Sequence, residues 1–307
     1  MSSGSKITTA IVKEATAGVA PTAGWLDLPR TSFGLKVSYG SNESNEIGSS
    51  RMSQAASAGT VNIGGDVGSK LRYSDLTDDL LASTFGANWV DNKLTLGDEN
   101  ITFSLATTAR DIGVHNLYTG CRVSQLALTI PNDNDISMTT TFAGTGYDDH
   151  SGGNPYYSTL DEKSTTPTPF DFKNVVDAKI NGESVAGIAC IDSFNITFNN
   201  NVQTQRCLGN GTGFPGNQIA TTFAPTGQIK LAWSPKAYDI WKKQKTREAV
   251  SFEFTLKNGN GAYTFLFPEV QLSGDWPDGG ANDIVQVQLD IKAERLAPTV
   301  TRVPATK

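Results

Sequence analysis

The chain has 307 residues, a formal net charge of −6, 18% charged residues, two histidines and three cysteines. The charged fraction lies below the ~25% of ordinary soluble proteins. With no Lys/Arg-rich block, the chain is not expected to grip nucleic acid by counterion release, whereas an acidic chain can let DNA pass without sticking.

Abundant Thr, Ser, Asn and Gly favour strands and turns over long helices. Residues 1–32 read as a polar arm with one apolar patch, Ala10-Ile-Val12, and a short strand at 25–28 before Pro29. Met1-Ser-Ser-Gly-Ser-Lys6 is polar, so no signal peptide is expected. No apolar run is long enough to cross a bilayer. Folding in a cytoplasm follows as the expectation. Cys121, Cys190 and Cys207 are odd in number and lack C-x-x-C spacing, so they read as reduced, mostly buried thiols.

Phe33, Leu35, Val37 and Tyr39 alternate with polar residues and predict a half-buried strand over 33–39. A Ser/Asn/Gly-rich loop follows at 40–58, a length usually reserved for functional loops. Strands are expected near 59–64 and 69–73. Ser74 or Asp75 then caps a helix whose Leu76, Leu80, Leu81 and Phe85 recur at helical spacing, with Gly86 to end it. Strands are predicted at 101–105, 114–118, 123–130 and 136–142, the last two joined by Pro131-Asn-Asp-Asn-Asp135 into a long hairpin. Residues 146–168 hold Gly152-Gly153 and Ser164-Thr-Thr-Pro-Thr-Pro169 and read as a linker.

The second half repeats this order. Strands at 175–180 and 185–189 flank Asn181-Gly182, a two-residue hairpin signal. A strand at 194–198 precedes a glycine-rich loop at 200–225, then a strand at 228–233. Ser234 caps a helix with Pro235 at its first position and an apolar stripe of Tyr238, Ile240 and Trp241. Strands are expected at 250–256, 262–267, 270–273 and 284–291, before a polar tail from Ala297. Phe33-Gly-Leu-Lys-Val-Ser-Tyr39 faces Phe194-Asn-Ile-Thr-Phe-Asn-Asn200, and Lys70-Leu-Arg-Tyr-Ser74 faces Lys230-Leu-Ala-Trp-Ser234, at nearly one offset. The chain therefore reads as a doubled unit. The match slips past the helix, where Phe103 aligns with Phe254 only at a shorter offset.

Catalytic patterns are missing. Neither His115 nor His150 sits in a Ser-His-Asp arrangement, and no Gly-x-Ser-x-Gly elbow occurs. Asp148-Asp-His150 lies in the linker, a poor frame for metal ligands. Asp133 and Asp135 lack the glycine and closing glutamate of a calcium loop. Gly209-x-Gly211-x-Gly213-x-x-Gly216 is interrupted by Pro215 and lacks the Lys-Ser/Thr of a phosphate loop. The basic run Lys242-Lys-Gln-Lys-Thr-Arg247 complements a helix C-terminus and would equally suit an acidic patch on a neighbouring subunit. No cofactor, metal or enzymatic activity is expected.

Ser44-Asn-Glu-Ile47 with Ser49-Ser-Arg51, Gly64-Gly65 before a strand, and the run from Leu76 to Trp89 resemble the N-terminal part of tail tube proteins of long-tailed bacteriophages. In the second half, 194–201, Leu208-Gly209 and Thr226-Gly227 leading through a strand into a helix resemble the same family. The resemblance covers most of residues 30–297. It implies an all-β fold with minor α: two tandem, pseudo-duplicated β-sandwich or half-barrel domains, each with one flanking helix. The division would be an arm at 1–32, domains at 33–146 and 169–297, a linker at 147–168 and a tail at 298–307.

The resemblance further implies rings of six domains stacked into a hollow tube in the virion tail, assembled in the host bacterial cytoplasm. Duplication would then reduce each ring to three chains. Partners would be the chain itself, tail terminator and tail tip or tape-measure proteins, and double-stranded DNA passing through an acidic lumen without specific binding, with no membrane. The expected inter-ring contacts are Asn42, Glu43, Asn45, Glu46 and Arg51 in one loop, and Gln203, Gln205, Arg206 and Asn210 in the other. The acidic lumen candidates are Asp133, Asp135, Asp275, Asp278 and Asp283. A different class, a β-rich carbohydrate-binding or adhesin module, draws on Trp25, Trp89, Trp233, Trp241 and Trp276, because aromatic rings stack on sugars.

Overall fold

Alternating apolar and polar residues leave this chain no way to bury its hydrophobic side except by packing sheet on sheet. The computed structural model describes residues 3–47, 51–185, 190–208 and 211–305. The first unit contains β1 (Ile7–Lys13), β2 (Leu26–Asp27), β3 (Ser32–Phe33), β4 (Lys36–Asn42), β5 (Ser57–Lys70), α1 (Asp75–Phe85), β6 (Lys93–Leu94), β7 (Thr102–Ala109), β8 (Val114–Ile130), β9 (Ser137–Ala143) and β10 (Gly146–Ser151). The second contains β11 (Val175–Ile180), β12 (Glu183–Ser184), β13 (Ile191–Asn199), β14 (Gln203–Gln205), β15 (Asn217–Ile219), β16 (Ala224–Ala232), α2 (Pro235–Lys242), β17 (Val250–Asn258), β18 (Gly261–Ser273), β19 (Gln286–Ala293) and β20 (Thr299–Pro304).

In the first unit one sheet runs β4–β5–β9–β8 and the other β1–β7–β8–β10, all antiparallel. The long strand β8 serves both. Its first part pairs with β7 and β10, and its last part with β9. Sequence periodicity left a gap between 118 and 123, and within it, at Gly120, the strand turns from one sheet to the other. Gly120 has φ +59°, and a Cβ there would collide with the Thr145 hydroxyl. Inward residues of both sheets, such as Phe103, Leu105, Leu126 and Phe142, join α1 in one hydrophobic core.

The second unit repeats these pairings strand for strand. β11 lies on β17 as β1 lies on β7, β13 on β16 as β4 on β5, and β20 on β18 as β10 on β8. Register is repeated too. Gly64 faces Ala143 and Lys70 faces Ser137, while Thr226 faces Lys292 and Ala232 faces Gln286. The offset slips after the helix because the first unit has a longer connector there, containing β6, which pairs with β20.

Both helix starts agree with the sequence. Ser74 Oγ accepts from the Thr77 N–H at 3.3 Å and Ser234 Oγ from the Ala237 N–H at 3.2 Å, with Pro235 at the first position and Gly86 left-handed after α1. Ile240 and Trp241 are buried, but Tyr238 is exposed rather than part of the inward stripe. Asn181 and Gly182 both take positive φ, the geometry of a tight hairpin turn. Residues 186–189, where the partner strand was expected to end, lie outside the described residues.

Three polar segments form more structure than their composition suggested. β1 enters a sheet. β10, inside the segment read as linker, pairs with β8. β20, inside the segment read as tail, pairs with β18. Trp25 and Tyr157, one from the arm and one from the linker, meet with ring centroids 6.1 Å apart in a satellite core with Ala10, Val12, Ala106 and Leu117. β10 and β20 are short, polar and largely unburied, and such strands give little periodic signal.

Candidate functional site

The two units are joined edge to edge. Residues 125–130 of β8 pair with β13, from Gln125 opposite Asn199 to Ile130 opposite Phe194. The strands β4, β5, β9, β8, β13, β16, β19 and β18 therefore run as one continuous antiparallel sheet across the chain. Its inner face is apolar. Its outer face is polar, with Lys36, Lys70, Lys230 and Lys292 offset by Asp66 and Asp290 and by Asp135, Asp192 and Glu294, which pair with Lys70, Lys230 and Lys292. Thr141 Oγ1 donates to Asp66 at 2.6 Å and Gln228 Nε2 donates to Asp290 at 2.8 Å, so both carboxylates are held flat on the sheet.

Helix α1 strengthens the junction. Phe85 packs on Phe198 and Phe223 of the second unit, at 5.4 and 5.3 Å between centroids. Asp78 is buried. It accepts from the Tyr263 hydroxyl at 2.6 Å and pairs with Arg302, whose guanidinium lies 4.7 Å from the Trp89 ring centroid. Burial pushes the Asp78 carboxyl above its ordinary range, against the opposing pull of Tyr263 and Arg302. Burial also pushes the Tyr263 phenol well up.

The acidic candidates fall on topologically equivalent turns, since 131–136 joins β8 to β9 and 274–285 joins β18 to β19. Asp133, Asp275, Asp278 and Asp283 are exposed. Asp135 is ion-paired with Lys70. Asp278 accepts from the Gly279 N–H and Asp283 from the Gly280 N–H, both at 2.8 Å, which shapes the second turn.

The second long loop packs against the first unit at β5. Asn42 ends β4 opposite Ser57, and Glu43, Asn45, Glu46 and Arg51 are exposed beyond it. Gln203 and Gln205 lie on β14, exposed, while Asn210 lies outside the described residues. Arg206 reaches from the second loop to the first unit. Its guanidinium donates to Gly213 O and Val61 O, each at 2.8 Å, and to Asn62 Oδ1 at 2.6 Å. The buried Gln218 likewise donates to Gly144 O at 2.9 Å. Fully exposed Ile47 and Leu208 project from these loops. Sequence spacing gave no sign of these contacts, because their acceptors are mostly backbone carbonyls remote in the chain.

Other sequence candidates resolve simply. Cys121 is buried, but Cys190 and Cys207 are exposed, so the expectation of mostly buried thiols fails for two of three. Trp25 and Trp241 are buried and Trp89 and Trp233 half-buried. Trp276, 60% exposed, stands edge-on to Trp233 and Trp241 at 5.2 and 5.1 Å and offers no open row of rings. His115 is buried against His150, 4.8 Å between rings, and burial lowers its pKa. Among the described residues, no three His, Cys, Asp or Glu side chains gather as a metal site, and no helix is long and apolar enough to cross a membrane.

A family model described as phage tail tube protein matches residues 4–293, spanning both units. The chain belongs to the phage tail tube protein family. No curated protein matches it. Membership places the chain among the structural components of the virion tail.

Proposed function

We propose that this tail tube protein assembles into stacked rings that form the tail tube and conduct double-stranded DNA, with three chains closing each pseudo-six-fold ring. The observation that supports this is the repeat of strand pairing and register within one chain, together with the edge-to-edge junction of its two units. A unit that already joins its copy through a sheet edge leaves matching edges at both ends of the chain, and ring closure removes them. Native mass spectrometry of isolated rings is expected to return three times the 32.7 kDa chain mass. Rings of six chains would sink the trimer.

The polar outer face of the sheet suits a lumen wall, since DNA meets hydroxyls, amides and balanced charges rather than a basic surface. The acidic turns around Asp133, Asp135, Asp275, Asp278 and Asp283 would add repulsion at its margins. The loops carrying Asn42, Glu43, Asn45, Glu46 and Arg51, and Gln203, Gln205, Arg206 and Asn210, would contact the next ring. Terminator and tip or tape-measure proteins would meet the two tube ends.

Because Asn42 and Ser57 are register partners, residues 43–56 can be excised and the strands rejoined through Asn-Gly without disturbing β4 or β5. The expected product is soluble protein that still forms rings but no tubes in negative-stain images. Tubes of normal length from this variant would remove the loop from the inter-ring contact.

A further inference from the structure

Both histidines of the chain sit in the first unit, and they face each other. His115 on β8 and His150 on β10 are register partners, with rings 4.8 Å apart. Successive strand residues alternate between faces, so both share a face with Leu117 and Ala106 of the satellite core. His115 is 3% exposed. Its Nδ1 lies 3.1 Å from Thr108 Oγ1, and its Nε2 is buried without a hydrogen-bond partner among the described residues. Such a ring is tolerated when neutral and costly when protonated, because an imidazolium has two N–H donors to satisfy and a charge to solvate.

Residues 152–161 cross this face as a strap. The strap leaves β10 through Gly152 and Gly153, both at positive φ and both with open space where a Cβ would stand. Its far end is pinned by main-chain bonds, Asp161 N–H to Trp25 O at 2.9 Å and Asp27 N–H to Asp161 O at 3.0 Å. Between those ends it is held at His150. The Nε2–H of His150 donates to Asn154 O at 3.0 Å, and the Tyr156 ring stands edge-on to the imidazole at 4.7 Å. Tyr157, next in the chain, packs with Trp25 and Leu117. A groove of about 770 Å³ runs beside the strap between Thr22, Thr108, Arg110, Asn154, Tyr156 and Ser158. Thr108 both lines this groove and touches His115, so water stands one hydroxyl away from the buried imidazole.

We infer that His115 and His150 form an acid-sensitive latch, in which protonation of the buried His115 releases the strap and bares the satellite core of the first unit. This goes beyond the assembly proposed above and does not depend on it. The surroundings set the sign. Burial lowers the His115 pKa below its ordinary 6.5, and the second imidazole lowers it further. The neighbouring charges do not reverse this. On β7, Arg110 is a like charge, itself partly offset by Asp27. On β10, Asp149 lies on the opposite face, and Asp148 shares the face but is exposed and accepts from the Tyr156 hydroxyl at 2.9 Å. The strap contributes phenols, Tyr156 and Tyr157, and Asp161 at its far end pairs with Lys163. Because the closed state holds the lower pKa, closure is fully stabilised above pH 6.5. It loses stability as the pH falls below that value, down to the closed-state pKa.

The test uses the full-length chain. Hydrogen exchange at 152–161, corrected for its intrinsic pH dependence, is expected to rise about tenfold between pH 7 and pH 5, the effect of one pKa unit. Residues 250–273 of the second unit, which has no histidine, are expected to stay protected. His115→Phe keeps a ring in the stack and removes the titrating group, so its strap is expected to show no such slope. A second measurement leaves His115 in place. Carbon-13-labelled histidine gives two NMR signals in the wild-type chain, assigned with His150→Gln, and the His115 midpoint is expected below pH 6.5 and coincident with strap opening. Strap exchange that stays flat from pH 7 to pH 5, or keeps its slope in His115→Phe, overturns the latch. So does strap opening at a pH where the His115 signal has not begun to titrate, or a rise shared by 250–273, which is global unfolding.

Discussion

Replacing Asp78 with alanine is expected to cost about 3 kcal/mol of unfolding free energy, the low end for breaking a buried ion pair. The Tyr263 hydroxyl, wholly buried, loses its carboxylate acceptor, and Arg302 loses its counter-charge while stacked on Trp89. Arg302 retains 28% side-chain exposure, so water offsets part of its loss, which is why the low end applies. The effect concerns how the units hold together, because Asp78 belongs to α1 while Tyr263 and Arg302 belong to β18 and β20. Urea unfolding of the alanine variant should show the drop. A double-mutant cycle with Arg302→Ala should show coupling between the two sites. A loss below about 1 kcal/mol would mean the network is rehydrated rather than buried.

That network also marks where sequence reading ends. The helices were legible because capping and apolar spacing are local: Ser74, Ser234, Pro235 and Gly86 announce them. The turn at Asn181-Gly182 was legible for the same reason. The doubling showed through Phe33 and Phe194, since core positions of equivalent strands must stay apolar. The acidic turns could be paired by eye because each follows a long apolar strand. What stayed hidden depends on partners remote in the chain. β10 reads as linker because Tyr147, Asp148, Asp149 and His150 have no alternation, and only pairing with β8 makes them a strand. The gap left between the strands at 114–118 and 123–130 is instead a corner at Gly120 that lets one strand serve two sheets. Arg206 read as a contact to the next ring, yet its donors are engaged on β5 and its own loop.

The same corner carries the second large expectation, which is that Glu14→Ala will destabilise the chain by about 3–5 kcal/mol, from buried donors each costing about 1–3 kcal/mol when unpaired. Glu14 is only 8% exposed and sits in the segment that composition marked as an arm. Its carboxylate accepts four hydrogen bonds. Gly18 N–H and Thr102 Oγ1 donate to Oε2, each at 2.7 Å. Gly120 N–H donates to Oε1 at 2.8 Å and Ser104 Oγ at 2.6 Å. Alanine leaves four donors facing a void. The hydroxyls can rotate, but the two amides cannot, and Gly120 is held at positive φ by the bend itself. Glu14→Gln keeps the shape but turns an amide NH2 towards donors, so it should cost roughly half as much. If the cost comes from the corner, hydrogen exchange in Glu14→Ala should rise first at 118–122 and 102–104, with the second unit unchanged. A urea midpoint equal to wild type would show that the arm does not hold the bend. β8 would then keep its two-sheet path, and with it the edge that receives β13, by pairing alone.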